Sequence, residues 1–192
     1  MPIDDPIAMF SALFERAVRE CAEPEAMVLS TVDGDGRPSA RYVLLKGVDE
    51  RGFVFYTNLG SRKAKALAVN PYAALTFYWP ALDKQVRIEG DVERVSDADA
   101  DAYFATRPRE SQIGAWASKQ SAQLASPAVL EERMLDSADR FEGTPVTRPP
   151  FWSGFRVVAR SIEFWTRFPA RLHERVVFQL RNGAWERAFL FP

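Results

Sequence analysis

The chain has 192 residues, 47% of them hydrophobic and 27% charged, the make-up of a globular protein with room for a sizeable core. A formal net charge of -1 argues against nucleic acid as a partner. One cysteine, Cys21, and one histidine, His173, exclude an intramolecular disulfide and a zinc site of the usual Cys/His type, so no metal is expected. No apolar run is long enough to span a membrane, and the start MPIDDP is acidic where a secretory leader is basic; a cytoplasmic protein is the expectation.

Residues 4–22 open with Asp4, Asp5 and Pro6, then space Phe10, Leu13, Phe14, Ala17, Val18 and Cys21 by threes and fours. An aspartate cap with proline in the first turn predicts an amphipathic helix, ended by Pro24. MVLSTV (27–32) reads as a strand, and DGDG (33–36) closes a hairpin into SARYVLLK (39–46). GFVFYT (52–57) is the next strand. A short helix over 61–69 stops at Asn70-Pro71, and YAALTFYW (72–79) reads as a buried strand. Residues 85–95 alternate, with Val86, Ile88, Gly90 and Val92 on one face and Gln85, Arg87, Glu89, Asp91 and Glu93 on the other.

Three helices are predicted next: from the Ser96 cap to about Thr106, from Ser111 to Ser118, and from Ser126-Pro127 to Gly143. The last carries Leu130, Met134, Ala138 and Phe141 on one face. A long strand covers 154–165. A hairpin of 173–180 and 184–191 turns at Asn182-Gly183, where the pair suits a type I′ turn. Seven or eight mostly antiparallel strands with peripheral helices predict a mostly β, α+β architecture of barrel type. A single domain over 1–192 is expected, with an N-terminal helix in 1–25 and a helical insertion at 96–143.

Three basic groups stand out. In RYVLLKGVDERGFVFYTNLGSRK (41–63), a strand leads into a helix whose first residues are Ser61, Arg62 and Lys63. Helix starts expose unpaired N–H groups and the positive end of the dipole, so this is either a phosphate cradle or a basic helix start facing water. Arg41 and Lys46 bracket the neighbouring strand. In the second group Tyr103, Arg107 and Ser111 fall four apart, a phosphate-binding face or a helix surface, although Pro108 interrupts a continuous helix. The third group is RLHER (171–175), read as an extended segment with Arg171, His173 and Arg175 on one side. It holds an anion, or is a charged edge strand. No G-x-G-x-x-G, no G-x-x-x-x-G-K-[ST] and no G-x-S-x-G motif is present.

RYVLLK, FYTNLGSRKA, Gln85, RPRESQIGAWASKQS, FWSGFRV, IEFW and RLHER occur in that order. Together they resemble the pyridoxine/pyridoxamine 5′-phosphate oxidase family, from about residue 26 to the C-terminus. The resemblance implies a split β-barrel homodimer with FMN at the subunit interface. It implies oxidation of pyridoxamine or pyridoxine 5′-phosphate to pyridoxal 5′-phosphate, with O₂ as acceptor and H₂O₂ released. It implies that Arg41, Tyr42, Val43, Leu44, Leu45, Lys46, Tyr56, Thr57, Ser61, Arg62 and Lys63 line FMN. Gln85, Gln120, Ser121, Trp165 and Arg175 join them, part of the set coming from the partner subunit. The substrate phosphate falls to Lys46, Tyr103, Arg107 and Ser111. Arg171 and His173, the catalytic candidates, hold the pyridine end.

Three departures from the family pattern are visible. TRFPA (166–170) stands where a glycine-containing turn is usual, Ser153 stands where glycine is common, and Phe189 replaces an arginine near the C-terminus. Two alternatives accompany the oxidase reading. One is a related flavin oxidase acting on another small aromatic substrate such as a phenazine precursor. The other is a non-catalytic protein that binds FMN or a B6 vitamer.

Overall fold

The computed structural model describes residues 5–192. Asp4 and the rest of the acidic start lie outside the described residues. Helix α1 (Pro6–Glu20) starts as its capping residues dictate: Asp5 Oδ1 accepts from the N–H of Ile7 at 2.9 Å and of Ala8 at 3.2 Å. It lays Phe10 into the core, edge-on to Phe53 and packed against Phe77 and Trp79. Among the described residues no helix is long and apolar enough to cross a membrane.

The strands are β1 (Ala26–Val32), β2 (Pro38–Leu44), β3 (Gly47–Asp49), β4 (Gly52–Asn58), β5 (Tyr72–Trp79), β6 (Lys84–Arg94), β7 (Trp152–Thr166), β8 (Glu174–Arg181) and β9 (Ala184–Leu190). They form one antiparallel sheet in the order β2-β1-β5-β6-β7-β4-β3, with β8 added to β7 and β9 to β8. The 15-residue β7 is the spine. Its first half pairs with β4, its second half with β8, and β6 runs beside both. The sheet therefore curls around a core that includes Phe10, Leu29, Phe53, Phe77, Ile88 and Phe178.

Among the described residues, nine strands replace the expected seven or eight. The run SARYVLLK ends at Leu44, and a separate three-residue strand, β3, follows. The runs YVLLK and FVFYT are not paired with each other: β2 pairs with β1, and β4 with β3 and β7. The pivot is Leu45-Lys46. Leu45 turns into the core while its N–H donates to Glu25 O at 2.8 Å, and the Lys46 N–H donates to Val54 O at 2.8 Å. The chain thus leaves one neighbour and joins another within two residues.

Helices α2 (Arg62–Val69), α3 (Asp97–Thr106), α4 (Arg109–Ala117) and α5 (Pro127–Arg140) lie outside the sheet. Three of the four residues of the apolar face predicted for α5 are used. Met134 and Ala138 pack on a second cluster of Phe104, Ile113, Phe141, Val146 and Trp152, whereas Leu130 is exposed. The β8–β9 hairpin turns through Asn182 (φ 51°) and Gly183 (φ 81°), as a type I′ turn requires.

The extended reading of RLHER does not hold. Pro169–Arg171 form a 3₁₀ turn in which Ala170 (φ 54°) and Arg171 (φ 61°) are left-handed, and β8 begins only at Glu174. Proline fixes one end of this turn, and the reversal destroys the period-two alternation that would have put Arg171, His173 and Arg175 on one side.

Candidate active site

A cavity of about 670 Å³ opens between the end of β2, the middle of β4 and the α3–α4 junction. Tyr42, Val43, Leu44 and Lys46 line one wall, Tyr56, Thr57, Lys63 and Gln120 the floor, and Tyr103, Arg107, Ser111 and Trp152 the other wall.

One end is built on the start of α2. Ser61 is the N-cap, fully buried, and its Oγ accepts from the Ala64 N–H at 3.3 Å. Its side chain therefore lies beneath the cavity wall. Lys63 is only 8% exposed. Its Nζ donates to Thr57 Oγ1 at 3.1 Å and to Gln120 Oε1 at 2.9 Å, and it forms no ion pair among the described residues. Burial, and then the charge of Arg41, hold its pKa below that of a free lysine. Arg41 is itself pulled down by burial and then by Arg62. The Arg41 guanidinium rests on Leu29 O and Thr31 Oγ1, off the cavity wall. Arg62 lies beyond the wall, 3.7 Å from Asp33, and its N–H donates to Ser121 Oγ at 3.2 Å. A buried ammonium held by neutral groups, among cations that repel it, at the positive end of a helix, has the chemistry to receive an anion.

The other end is built on the break between α3 and α4. Pro108 ends α3, so Tyr103, Arg107 and Ser111 do not share one helix as a continuous face would need. They meet on one wall nonetheless, because buried Gln112 ties the two helices. Its Nε2 donates to Phe104 O at 2.9 Å. The Arg107 guanidinium lies 4.9 Å from the Trp152 ring and 5.5 Å from the Phe104 ring, and its Nη1 is buried without a partner. Burial raises the pKa of Tyr103 and of Tyr56, which keeps both phenols protonated donors.

A stack of flat rings belongs to this second end and takes in Tyr56 from β4. Tyr56 lies 4.0 Å from Tyr103 at 12° and 5.3 Å from Trp152 at 5°. Gly154 makes room for it: a Cβ there would come within 2.7 Å of Tyr56 Cε1.

The remaining expected residues are elsewhere. Gln85, Trp165 and Arg175 face each other across β6, β7 and β8. The His173 ring packs 4.5 Å from that of Trp165, and its Nδ1 accepts from the Phe168 N–H. Arg175 is held by Glu163, with Nε to Oε1 at 2.7 Å and Nη2 to Oε2 at 3.1 Å, and it also donates to Phe191 O. Neither this row nor Arg171 touches the cavity, and Leu45 is in the core. One chain thus divides the expected site into a cavity half and a sheet-face half.

Sequence reading passed over Asn58, Gln112 and Trp152. Asn58 lines the cavity and ties it to the α4 end, donating to Ser118 O at 3.1 Å and accepting from the Gly60 N–H at 2.8 Å. Its signal was there: an asparagine before Leu-Gly-Ser marks an Asx turn.

Comparison with known proteins bears on the whole chain. The family model for pyridoxamine 5′-phosphate oxidase matches residues 14–138. The pyridoxine 5′-phosphate oxidase C-terminal dimerisation region matches residues 152–192. The pyridoxine/pyridoxamine 5′-phosphate oxidase of Myxococcus xanthus strain DK1622 is 56% identical over 189 residues, 98% of this chain and 92% of that protein. Its counterpart in Rubrobacter xylanophilus is 54% identical over 98% of this chain and 87% of its own length. Among solved structures, PhzG from Burkholderia lata 383, in complex with tetrahydrophenazine-1-carboxylic acid, superposes with a TM-score of 0.94 at 28% identity. That match covers 100% of this chain and 94% of PhzG. A pyridoxamine 5′-phosphate oxidase-related, FMN binding protein from Nostoc punctiforme shares the fold, with a TM-score of 0.78 at 17% identity, 98% of each chain being covered. With family matches that run through both the cavity and the sheet-face half, the chain belongs to the pyridoxamine 5′-phosphate oxidase family.

Proposed function

We propose that this protein is an FMN-dependent oxidase that converts pyridoxamine 5′-phosphate and pyridoxine 5′-phosphate to pyridoxal 5′-phosphate. The observation that carries the reading is the pair of uncompensated cations on one cavity: Lys63 without an ion pair and Arg107 with a buried, partnerless Nη1. A flavin with one phosphate and a substrate with another supply two anions, and a flat-ring stack lines the same cavity.

The residues fit the cofactor. Lys63, with Arg62 and the start of α2, would hold the FMN phosphate. Thr57 and Gln120 orient the Lys63 ammonium by accepting its protons. Arg107, Tyr103, Ser111 and Lys46 would take the substrate phosphate, with the Tyr103 phenol as a neutral donor. Bound FMN supplies the two-electron acceptor for the carbon that bears the amine or alcohol, and O₂ then carries the electrons away as H₂O₂. The protein's part is position: the cavity residues would hold the substrate in place for that transfer.

The sheet-face row completes the reading. Gln85, Trp165 and Arg175, with Arg171 and His173, would close the cavity of a second copy, since residues 152–192 match the family's dimerisation region. Arg171 and His173 would then meet the pyridine end of the substrate. A single free cysteine, Cys21, fits a reducing compartment such as the cytoplasm.

The test is to purify the protein, record the flavin spectrum, and follow H₂O₂ release with each vitamer phosphate. A yellow protein that releases peroxide with both is expected. No flavin after reconstitution would overturn the reading. The likeness to PhzG favours a second reading, an oxidase of reduced phenazine-type rings. Bound flavin that ignores both vitamers but turns over a dihydrophenazine carboxylate would establish it.

A further inference from the structure

We propose that Trp152 is a positioning residue for the substrate phosphate: its indole face is the shelf that sets the Arg107 guanidinium toward the cavity. The proposal rests on the assignment of Arg107 to that phosphate.

Arg107 lacks the supports an arginine usually has. Among the described residues its guanidinium pairs with no carboxylate and donates no hydrogen bond to protein. Two aromatic rings hold it instead, Trp152 at 4.9 Å and Phe104 at 5.5 Å. A guanidinium lying over an indole leaves its hydrogen-bonding capacity unspent, and its N–H groups are the part that grips a phosphate. Without the shelf the long side chain would sample many rotamers, and ordering it would be charged to substrate binding.

The shelf itself is fixed. Trp152 is buried, paired with Asn58 at the start of β7, and its backbone N–H donates to Pro149 O at 3.0 Å. Phe104 meets it edge-on at 5.1 Å, and Tyr103 lies parallel to it at 6.2 Å and 6°. Trp152 therefore lies against Arg107 and runs parallel to Tyr103, whose direct ring neighbour is Tyr56 at 4.0 Å. A tryptophan that merely filled the core would have no reason to affect one step of turnover more than another.

The experiment is a double-mutant cycle on the FMN-loaded enzyme with pyridoxine 5′-phosphate. Trp152→Leu should raise KM about tenfold, leave kcat within about twofold and leave FMN affinity unchanged. Trp152→Phe, which keeps a flat face, should recover most of the loss. In an Arg107→Ala background Trp152→Leu should add almost nothing, because the shelf acts through Arg107. Full additivity, or a fall in kcat at constant KM, overturns the proposal. Arg107→Ala without effect on KM overturns the phosphate assignment itself, a separate outcome. Should Trp152→Leu fail to hold FMN, Trp152→Met, which also lacks a flat face, carries the same cycle. A KM rise that vanishes in the Arg107→Ala background supports the shelf, and one that persists there overturns it.

Discussion

The Nζ of Lys63 lies 2.9 Å from Gln120 Oε1, a buried ammonium that leans on a neutral amide. A charge placed this way waits for an anion. Lys63→Met keeps the stem and removes the charge. It should weaken FMN binding by about 1.5–3 kcal/mol, the usual worth of a hydrogen bond to a charged group, or roughly tenfold to 150-fold in Kd. The apoprotein should keep or gain stability, since the buried charge is gone. Flavin titration and thermal melts of the apoprotein measure both.

The same lysine fixes a pH dependence. Burial and Arg41 lower its pKa in the ligand-free protein, so the cost of the charge is present below that lowered pKa and fades as pH rises through it. A bound phosphate favours the charged form and reverses the preference. FMN affinity of the wild type should therefore fall as pH rises through the lowered pKa, before the range where a free lysine titrates. Lys63→Met should show a flatter profile. Equal slopes for the two proteins would remove Lys63 from the phosphate site.

Much of the fold was legible because period-two alternation and capping act locally. The alternation of 85–95 and the Asp5 cap needed no tertiary help. β3 was not legible, since three residues are too few to carry a period. RLHER misled because its charges suggested a strand while Pro169 and two left-handed residues made a turn. Tyr42, Lys46, Tyr56, Lys63, Tyr103, Arg107, Ser111 and Gln120 line one cavity, whereas Arg41, Leu45, Ser61, Arg62 and Ser121 lie off it. The separation of the cavity residues from Gln85, Trp165 and Arg175 is a matter of sheet topology, which no local pattern encodes. Trp152 stayed hidden because an aromatic at a strand start reads as core. Ser153 fits the fold: it is fully buried and its Oγ accepts from Arg94 Nε at 3.3 Å.

Gly154 is the counterpart of the ring stack. A methyl group there would meet Tyr56 Cε1 at 2.7 Å and Val95 Cγ2 at 2.9 Å. Gly154→Ala should cost about 1–3 kcal/mol, the usual range for overpacking. In a Tyr56→Ala background the cost should shrink, because the ring that is struck has gone. Urea unfolding of the four proteins reads the coupling.

Ala170 has a φ of 54° beside Arg171 at 61°. Left-handed backbone is costly for alanine and cheap for glycine. Ala170→Gly should stabilise the protein by roughly 0.5–1 kcal/mol, a rise of a few degrees in Tm at this size. Ala170→Val should destabilise it by more than that. The TRFPA departure thus carries strain at the turn that presents Arg171.

The division of the site makes a prediction about mixtures of inactive subunits. Lys63 lies on the cavity, and Arg175 lies on the sheet face beside Trp165. If the sheet face of one copy closes the cavity of another, Lys63→Ala and Arg175→Ala homodimers are each damaged at both sites. A heterodimer of the two has one site with both changes and one site with neither. Co-refolding the two variants with FMN should therefore restore up to half of the wild-type activity per heterodimer. Tagged subunits allow the heterodimer to be isolated and assayed alone. If both residues served the same cavity from one chain, no mixture would recover activity. The gain or its absence thus decides whether a second copy completes the site.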